Sequence, residues 1–537
     1  MIKFKTDVKN GKVTLADETS IPVAGEYDVV VTGGGVAGSA AAIAAAKRGW
    51  KTLLIEATSA LGGLATMGLV NIPLDFVSGL GKEMFDELTA VEGLWHRNSD
   101  PEKHKLVLDR MIKKYNCDVL LVTQVVDSIM EGDTIKGVVI QTKKGRKAIL
   151  AKRVIDCSGD SDAAYYAGAE LMQGRPGDGM SQACSLEFVL GSVDWDKYTA
   201  SDIKKNDPKW LEVIKKALAS GDLPYEVDNH LNWMTHIPGR PQHCGKDEVS
   251  ICFAHSRNCY PGDTTDLTRM YIEGREQVDF ISKFIKKHIP GFKDSYLSYT
   301  GSLLGVRESR RITGRYVLTA EDIAGLRKFD DVICISSHGY DVHNYDGPGN
   351  IKWAEMKING KTEYVICNPM GYATTTPPPG GRTLVNIKGQ NVDEAEFELN
   401  GYYDIPYRCL VPVRIENLLA AGRNLSSDVN AQSGSRLIMA CLTMGEAAGT
   451  AAAISLKLGI APGKVDRIGL QEELIRNGVN LGQVYRKIPG IDEAALKSAE
   501  AKHDTYSNPE KVMSADRIKE FKRQAGVLKK IADEWKK

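Results

Sequence analysis

A glycine-rich segment near the N-terminus has residue types and spacing that suit a nucleotide phosphate. Residues 33–38 read GGGVAG, so Gly33, Gly35 and Gly38 fit the pattern Gly-x-Gly-x-x-Gly. The first glycine permits a tight turn, the second lets the backbone approach a pyrophosphate, and the third allows close packing of a helix on a strand. Val36 and Ala37 lie within this segment, which leads into a helix whose unpaired N–H groups favour a phosphate. The segment therefore predicts a dinucleotide-binding loop.

The elements around this segment are the ones that such a loop requires. The apolar run 27–32 predicts a buried parallel strand, 39–48 predicts a helix of small residues, and 51–56 predicts a second strand. The second strand ends at Glu56, an acid placed to accept hydrogen bonds from ribose hydroxyls. Strand, glycine turn, helix, strand and terminal acid occur together, which is the context that the dinucleotide signature needs.

Two further strand ends favour one cofactor over another. Residues 154–160 (VIDCSGD) and 418–423 (LLAAGR) each predict a strand that ends near a glycine, far along the chain from the first unit. A long, extended cofactor needs several strand ends that converge from distant sequence, which favours FAD over NAD. A helix predicted to begin near Met444 and Gly445 would direct its positive N-terminus towards the flavin pyrimidine edge and stabilise negative charge there.

Arginines in the segment GVRESRR are candidates for holding a substrate. Arg307 and Arg311 fit one face of a helix by their spacing, and a guanidinium can bind an anionic or polyhydroxylated group. The alternative for these arginines, and for Arg310 between them, is structural ion pairing within the chain. Arg436 precedes the predicted flavin-facing helix, where it could contact cofactor or substrate.

Two histidines in the segment SSHGYDVHN are candidates for proton transfer. His338 and His343 flank Asp341. A histidine titrates near neutrality, so it suits proton transfer that is coupled to hydride transfer. The alternative is that both histidines are solvated loop residues without a chemical role.

Composition excludes several classes of protein. The chain has 537 residues, of which 42% are hydrophobic and 26% charged, as expected for a globular protein with a buried core. Lys+Arg and Asp+Glu both number 69, so the chain has no basic excess and no nucleic-acid partner is expected. We find no apolar run of about 18 residues, so no membrane segment is expected. The N-terminal residues contain no apolar region of the signal-peptide kind.

Cysteine usage indicates the redox compartment. The ten cysteines are scattered, without a Cys-x-x-Cys pair. This scattered distribution predicts free thiols in a reducing compartment, and hence a cytoplasmic protein. The alternative is that two of the cysteines form a redox-active disulfide. His243, Cys244, Cys252 and His255 could be drawn as metal ligands, but their spacing matches no common zinc module. No metal is therefore expected.

Longer stretches of the sequence carry a family resemblance. They are GGGVAGSAAAIAAAKRG (33–49), LIEATSALGGLATMG (54–68), VIDCSGDSDAAYYAG (154–168), GVRESRRITGRYVLTAEDI (305–323), GYYDIPYRCLVP (401–412) and NLLAAGRNLSSDVNAQSGSRLIMACLTMGEAAGTAAA (417–453). Through them the chain resembles bacterial FAD-dependent oxidoreductases of the glutathione-reductase-like flavoprotein superfamily, in the fumarate-reductase-like branch. The resemblance implies FAD bound across two discontinuous segments, with a substrate domain between them.

The resemblance also implies a set of cofactor-binding positions. Residues 62–64 match the loop along the pyrophosphate, and Val125 matches a backbone contact with adenine. Arg423 departs from the acid that many relatives carry after the corresponding glycine, which puts the usual ribityl contact in doubt. The full set of implied cofactor residues is Gly33, Gly35, Val36, Ala37, Gly38, Glu56, Ala57, Gly62, Gly63, Leu64, Ala65, Thr66, Val125, Ser158, Gly159, Asp160, Gly422, Arg423, Met444 and Gly445.

Together these observations predict an α/β protein with four parts. A discontinuous Rossmann-type FAD-binding domain spans 22–183 and 409–463, an inserted mixed α+β substrate domain spans 184–408, and a helical C-terminal tail spans 464–537. We find no second Gly-x-Gly-x-x-Gly after a strand, so no NAD(P)H domain is expected.

The predicted activity is hydride transfer between a small organic substrate and flavin N5. Its catalytic candidates are His343, Arg307, His338 and Arg436, and an external electron donor or acceptor completes the cycle. Two alternatives stay open, which are a flavoprotein that acts on tRNA and a non-catalytic flavin-binding protein.

Overall fold

The computed structural model describes most of the chain up to residue 491. The described ranges are 8–9, 12–13, 20–95, 97–237, 247–324, 327–338, 341–345, 347–351, 353–358, 361–366, 402–483 and 486–491. His243, Cys244 and the part of the predicted tail from 492 to 537 lie outside these ranges.

The described residues form the following strands and α-helices. The strands are β1 (Val8–Lys9), β2 (Lys12–Val13), β3 (Val23–Thr32), β4 (Thr52–Ile55), β5 (Leu94–Trp95), β6 (Asn98–Ser99), β7 (Asp118–Leu120), β8 (Gln124–Glu131), β9 (Thr134–Thr142), β10 (Gly145–Asp156), β11 (Leu171–Gln173), β12 (Cys184–Ser185), β13 (Phe188–Val193), β14 (Trp233–His236), β15 (Asp247–Cys252), β16 (His255–Ser256), β17 (Tyr296–Thr300), β18 (Arg310–Ile312), β19 (Val332–Ser336), β20 (Val342–His343), β21 (Asn350–Ile351), β22 (Trp353–Ile358), β23 (Lys361–Ile366), β24 (Tyr403–Pro406) and β25 (Leu418–Ala420). The α-helices are α1 (Val36–Ala46), α2 (Gly79–Ala90), α3 (Pro101–Lys114), α4 (Asp162–Tyr166), α5 (Trp195–Thr199), α6 (Asp202–Asn206), α7 (Leu211–Ser220), α8 (Thr264–His288), α9 (Ala320–Ala324), α10 (Val429–Ser435), α11 (Ile438–Leu458) and α12 (Arg467–Arg476).

A seven-stranded sheet forms the base of the cofactor half. Its order is β7-β4-β3-β10-β9-β8, and β25 pairs with β10 as well. The strands β7, β4, β3, β10 and β25 pair in parallel, whereas β9 pairs antiparallel with both β10 and β8. The carboxyl ends of the parallel strands therefore meet at one edge, although β25 comes from a distant part of the sequence. This sheet confirms the predicted α/β fold class with a Rossmann-type core.

Small residues let α1 pack closely on a second long helix. The alanine-rich α1 is buried along almost its whole length. A Cβ built on Gly445 of α11 would lie 2.0 Å from Ala37 O, and one on Gly449 would lie 2.2 Å from Ala41 O. Glycine at these two positions therefore allows the backbones of α1 and α11 to touch.

A second hydrophobic core lies around a four-stranded antiparallel sheet. The order of this sheet is β14-β15-β13-β17. The 25-residue helix α8 covers it and buries Met270, Val278 and Ile281 against strand residues such as Phe188 and Ile251. This core corresponds to the predicted mixed α+β insertion.

The predicted substrate segment 184–408 is divided between the two cores. Its first part, up to Val306, builds the second core. In contrast, Leu318, Ile333 and Tyr403 bury their side chains in the first core, with α1 and α11. The predicted boundary at 408 does not match the boundary between the two cores. The reason is that the apolar residues of the strand pair β19–β24 are buried against α11, in the first core.

One helix has the length and composition of a membrane span. It is α11, and 89% of its most apolar window is buried inside the protein. No segment of this kind is expected from the sequence, and α11 is the exception because Glu446 and Lys457 are the only charged residues among its 21. Its burial is typical of the core helix of a globular domain.

His104 on α3 provides a test of how this core is packed. It is completely buried, with Nε2 3.1 Å from Met84 Sδ, and burial lowers its pKa from 6.5 to about 4. Between these pH values the unfolded chain binds a proton here that the folded chain does not, so this residue makes stability fall as the pH decreases. Urea unfolding gives the free energy of unfolding at about pH 7 and at about pH 4. We expect this free energy to fall between the two pH values by about 3 kcal/mol less in His104→Leu than in the original protein. An unchanged difference between the two pH values would contradict this assignment.

Candidate functional site

The glycine loop lies where β3 passes into α1, at the carboxyl edge of the sheet. Gly33 has a φ of +90°, and a Cβ there would lie 2.4 Å from Cys157 O. A Cβ on Gly38 would lie 1.7 Å from Gly33 O. The turn and the helix–strand packing thus leave no room for a side chain at either position, as the dinucleotide pattern requires.

Gly35 differs from these two glycines because its missing side chain faces open space. It is the N-cap of α1 without a side-chain capping bond, and a Cβ built on it would meet no atom within 4 Å. Gly62 and Gly63 form the opposite wall, since Gly62 N donates to Gly34 O at 2.8 Å and a Cβ on Gly63 would lie 3.1 Å from Gly35 Cα. These glycines leave an open backbone cradle at a helix N-terminus, which suits a pyrophosphate.

Glu56 is buried at the end of β4, and backbone donors hold its carboxylate. Oε2 accepts from Gly34 N at 2.5 Å, and Oε1 accepts from Thr58 N at 2.7 Å. Each oxygen keeps acceptor capacity for a ribose hydroxyl. Thr123 N donates to Glu56 O at 3.0 Å, which brings Val125 at the start of β8 to the same edge of the sheet.

The other predicted residues of the first loop differ in exposure. Ala57 is exposed and Leu64 is half-buried, whereas Ala65 and Thr66 are buried. Thr66 Oγ1 donates to Leu61 O at 2.6 Å. This threonine therefore shapes the loop, because its hydroxyl proton is used inside it.

The turn after β10 is organised by a residue that sequence reasoning missed. Asp156 Oδ1 accepts from Ser158 N at 3.0 Å and from Ser158 Oγ at 2.7 Å, and Oδ2 accepts from Ala164 N at 2.9 Å. Burial raises the pKa of Asp156. The available signal was an acid at the last position of a buried strand, directly before the predicted Ser158, Gly159 and Asp160.

The residues after β25 contact both the turn after β10 and the helix α1 that follows β3. Arg423 Nη2 lies 2.6 Å from Asp160 Oδ1, and a Cβ on Gly159 would lie 2.8 Å from Arg423 Nε. Gly422 has a φ of +109°, and a Cβ there would lie 3.1 Å from Ala37 Cβ. Arg423 thus forms an ion pair between the two discontinuous parts of the cofactor half.

The predicted helix start at Met444 and Gly445 is wrong. The helix α11 begins at Ile438, after the N-cap Leu437, so both residues lie inside it. Met444 is completely buried, and Gly445 packs on Ala37 of α1. The small residues in this stretch reflect the packing of two helices and not a helix N-terminus.

Three of the four predicted catalytic candidates lie in one buried cluster. His343 Nε2 is 3.5 Å from Asp341 Oδ1, and Arg436 Nη2 is 3.1 Å from Asp341 Oδ2. Arg307 joins them through a histidine that the sequence analysis set aside, His255. The rings of His255 and His343 are 5.4 Å apart between centroids, and Arg307 Nη2 lies 3.4 Å from His255 Nε2.

His255 is itself part of a histidine–carboxylate pair. Its Nδ1 lies 3.1 Å from Asp228 Oδ2, and Asn232 Nδ2 lies 3.0 Å from its Nε2. Burial opposes ionisation of Asp228, but the hydrogen bond and charge of His255 hold the pKa of Asp228 below its usual range. The sequence signal for this pair is weak, because Asp228 and His255 belong to no shared motif.

The environment of the cluster changes the expected titration of its histidines. The pKa of His343 is lowered to about 3, and burial is the largest cause, with the charge of Arg307 the next largest. Burial also lowers the pKa of His255 to about 4. The expectation that His343 titrates near neutrality is therefore wrong, and both imidazoles are neutral bases at neutral pH.

The arginines of GVRESRR are not arranged on a helix as expected. Residues 305–309 form an extended loop, and Arg310 begins β18. Arg310 pairs with Asp162 at 2.5 Å, and Arg311 pairs with Glu308 at 3.2 Å. Structural ion pairing therefore accounts for Arg310 and Arg311, and Arg307 is the member of the segment that faces the histidines.

The charge of His338 acts on two acids, Asp75 and Asp341 of the cluster. It is half-buried, and its N–H donates to Ser336 Oγ at 3.3 Å. Burial raises the pKa of Asp75, while the charge of His338 opposes that rise. The possible metal ligand Cys252 lies 3.7 Å from His255 Nε2, and within the described ranges no group of three or more such ligands is close enough to hold a metal ion.

The cradle, the buried acid and the convergent strand ends define a dinucleotide-binding protein of the Rossmann type. A family model described as FAD dependent oxidoreductase matches residues 28–474. The chain therefore belongs to the FAD-dependent oxidoreductase family and is an enzyme that uses FAD. The open cradle at Gly35 fits the pyrophosphate of this cofactor, and Glu56 fits its ribose.

Individual relatives match shorter parts of the chain. A digeranylgeranylglycerophospholipid reductase of Methanospirillum hungatei is 27% identical over 175 residues, which cover 27% of this chain and 41% of that protein. A thiamine thiazole synthase of Methanococcus vannielii is 31% identical over 151 residues, which cover 25% of this chain and 56% of that protein. The chain thus spans about half the length of these curated relatives.

Solved structures are similar at low sequence identity. A geranylgeranyl bacteriochlorophyll reductase-like protein from Thermoplasma acidophilum is 14% identical, with a TM-score of 0.39, and the match covers 91% of this chain and 99% of that one.

Proposed function

We propose that this enzyme transfers a hydride between a small organic substrate and N5 of its flavin, within the fumarate-reductase-like branch of the glutathione-reductase-like superfamily. One observation carries the proposal, which is the position of Gln432 on α10. Its Nε2 donates to Arg307 O at 2.9 Å and to Arg423 O at 3.2 Å. A single side chain therefore links the arginine–histidine cluster to a strand end of the cofactor half.

The residues of the cluster have distinct roles in this proposal. Bound FAD supplies a two-electron donor or acceptor at N5. Arg307 binds a polar group of the substrate, and the neutral imidazoles of His343 and His255 accept or return its proton. Asp341 and Asp228 orient the two rings, and burial of the cluster excludes bulk water.

Anaerobic reduction of the purified flavoprotein tests the proposed reaction. The donors are a panel of sugars, hydroxy acids and amines, and flavin absorbance is the signal. We expect one class of donor to reduce the flavin at a rate that depends on its concentration. A flavin that no donor reduces, and that no organic acceptor reoxidises after chemical reduction, would contradict the proposal and favour a non-catalytic flavin-binding protein.

The proposed partners are the small-molecule substrate and an external electron donor or acceptor. We propose that the enzyme binds neither nucleic acid nor a membrane, and that it is located in the cytoplasm. Equal numbers of acidic and basic residues and the free, buried thiols of the eight described cysteines support this setting. A salt-sensitive mobility shift with tRNA would favour the RNA-modifying alternative instead.

A further inference from the structure

Arg307 is a buried cation for which no carboxylate lies within ion-pair distance in the part of the chain that the structure describes. It is 8% exposed. Its Nη1 donates to Ala183 O at 2.5 Å, and its Nη2 lies 3.4 Å from His255 Nε2. Both contacts are to neutral groups. A guanidinium buried among neutral groups is costly unless an anion joins it.

Glu187 is a buried acid on which the charge of Arg307 acts, but it does not compensate that charge. The hydrogen-bonding neighbour of Glu187 is Cys252. Burial raises the pKa of Glu187 to about 8, although the charge of Arg307 opposes this rise. Glu187 is therefore protonated and uncharged at neutral pH, and it leaves the positive charge of Arg307 unbalanced.

The two ionised carboxylates of the cluster are matched by other cations. Asp341 pairs with Arg436 at 3.1 Å, and Asp228 lies 3.9 Å from Arg257 Nη2. Four further titratable groups face the cluster from neighbouring elements. They are His230, which is 3.8 Å from Asp228 Oδ1, Lys209, whose pKa burial lowers to about 8, Cys184, whose pKa is lowered by Cys259 and then by Arg307, and His338, whose charge helps to lower the pKa of Asp341. The cluster therefore carries an excess of positive charge.

The stacked imidazoles respond to this excess. The charge of Arg307 contributes, after burial, to the low pKa values of His343 and His255. An anion that neutralised Arg307 would remove this contribution, so each ring would bind a proton more readily. By linkage, binding of such an anion is accompanied by proton uptake at pH values between the pKa of a ring in the free protein and its raised pKa in the complex.

We infer that the substrate binds at Arg307 through an oxyanion group, and that its binding draws a proton from solvent onto the His255–His343 pair. This inference rests on the proposed function in taking the cluster as the substrate site. A small organic oxyanion offers the acceptor oxygens that a guanidinium binds in pairs, whereas a neutral polyhydroxylated substrate would leave the charge of Arg307 unchanged. The proton taken up lies beside the bound substrate, where a reduction step needs it.

Calorimetric titration of the FAD-loaded protein with acetate and with methanesulfonate tests the inference. In two buffers of different ionisation enthalpy, the apparent binding enthalpies should differ by an amount that corresponds to uptake of up to about one proton per anion. Affinity for methanesulfonate, which stays ionised, should fall by up to about tenfold per pH unit as the pH rises from about 5 to about 7.5. The neutral counterparts, acetamide and methanesulfonamide, should bind without proton uptake or not at all. Binding of neither anion, or equal enthalpies in both buffers, would overturn the inference.

Matched arginine variants locate the anion. Arg307→Met should weaken methanesulfonate binding at least about tenfold and abolish proton uptake, because it removes the charge and keeps the volume. Arg310→Met makes the same change at an arginine already paired with Asp162 and should preserve both. Arg307→Lys keeps the charge, so it should retain proton uptake at lower affinity, and it serves as the test if the methionine variant does not fold.

Unchanged methanesulfonate affinity in Arg307→Met, or in a folded Arg307→Lys, would overturn the inference. These titrations need no turnover. If no organic donor reduces the flavin but proton-linked anion binding persists, the proposed reaction fails while the anion site stands.

Discussion

Replacement of Gly35 by valine is expected to abolish FAD binding while the protein stays folded. A Cβ at this position meets no protein atom within 4 Å, and the residue has φ −62° and ψ −176°, which valine adopts readily. The two added methyl groups would therefore fill the open cradle at the N-terminus of α1, where the pyrophosphate must approach the backbone. Flavin absorbance of the purified variant should fall to the background, while its circular dichroism and melting temperature stay close to those of the original protein.

Gly38 provides the matched control for this prediction. A Cβ on Gly38 would lie 1.7 Å from Gly33 O, inside the protein. Gly38→Val should therefore lower the melting temperature or prevent folding, in contrast to Gly35→Val. A Gly35→Val protein that retains stoichiometric FAD would show that the pyrophosphate does not lie in this cradle.

Replacement of His343 by alanine is expected to slow flavin reduction by the true substrate about 10²-fold or more, because the reaction loses a positioned base. The imidazole is buried, paired with Asp341 and stacked on His255, and none of these contacts belongs to the glycine loop or to Glu56. FAD content should therefore stay near normal. Rapid-mixing measurements of the reductive step, at saturating substrate, provide the comparison.

His288→Ala is the control for the loss of an imidazole. His288 ends α8 and pairs at the surface with Asp222 at 2.8 Å, so its removal should leave the reductive rate unchanged. If His343→Ala reacts at the original rate, the base must be another group of the cluster, and His255 would replace His343 as the candidate. Loss of flavin from His343→Ala would instead indicate a structural role.

The sequence by itself determines the cofactor half, because its signals are local. A strand followed by Gly33, Gly35 and Gly38 requires particular backbone angles and close approaches, and these requirements act within a few residues. Glu56 follows from the end of the next strand for the same reason. Local patterns fail where the cause is packing between distant elements. The small residues around Gly445 suggest a helix start in the sequence, whereas in the structure they let α11 touch Ala37 of α1.

Only the tertiary structure decides the substrate side. Asp228, His255, Arg307 and His343 come from four separate segments, and no spacing in the sequence connects them. Their chemistry also depends on burial, since the same imidazole that titrates near neutrality in water is a neutral base when it is enclosed beside a guanidinium. Burial and the proximity of charges are properties of the packed chain, and they arise only when the two hydrophobic cores bring these segments together.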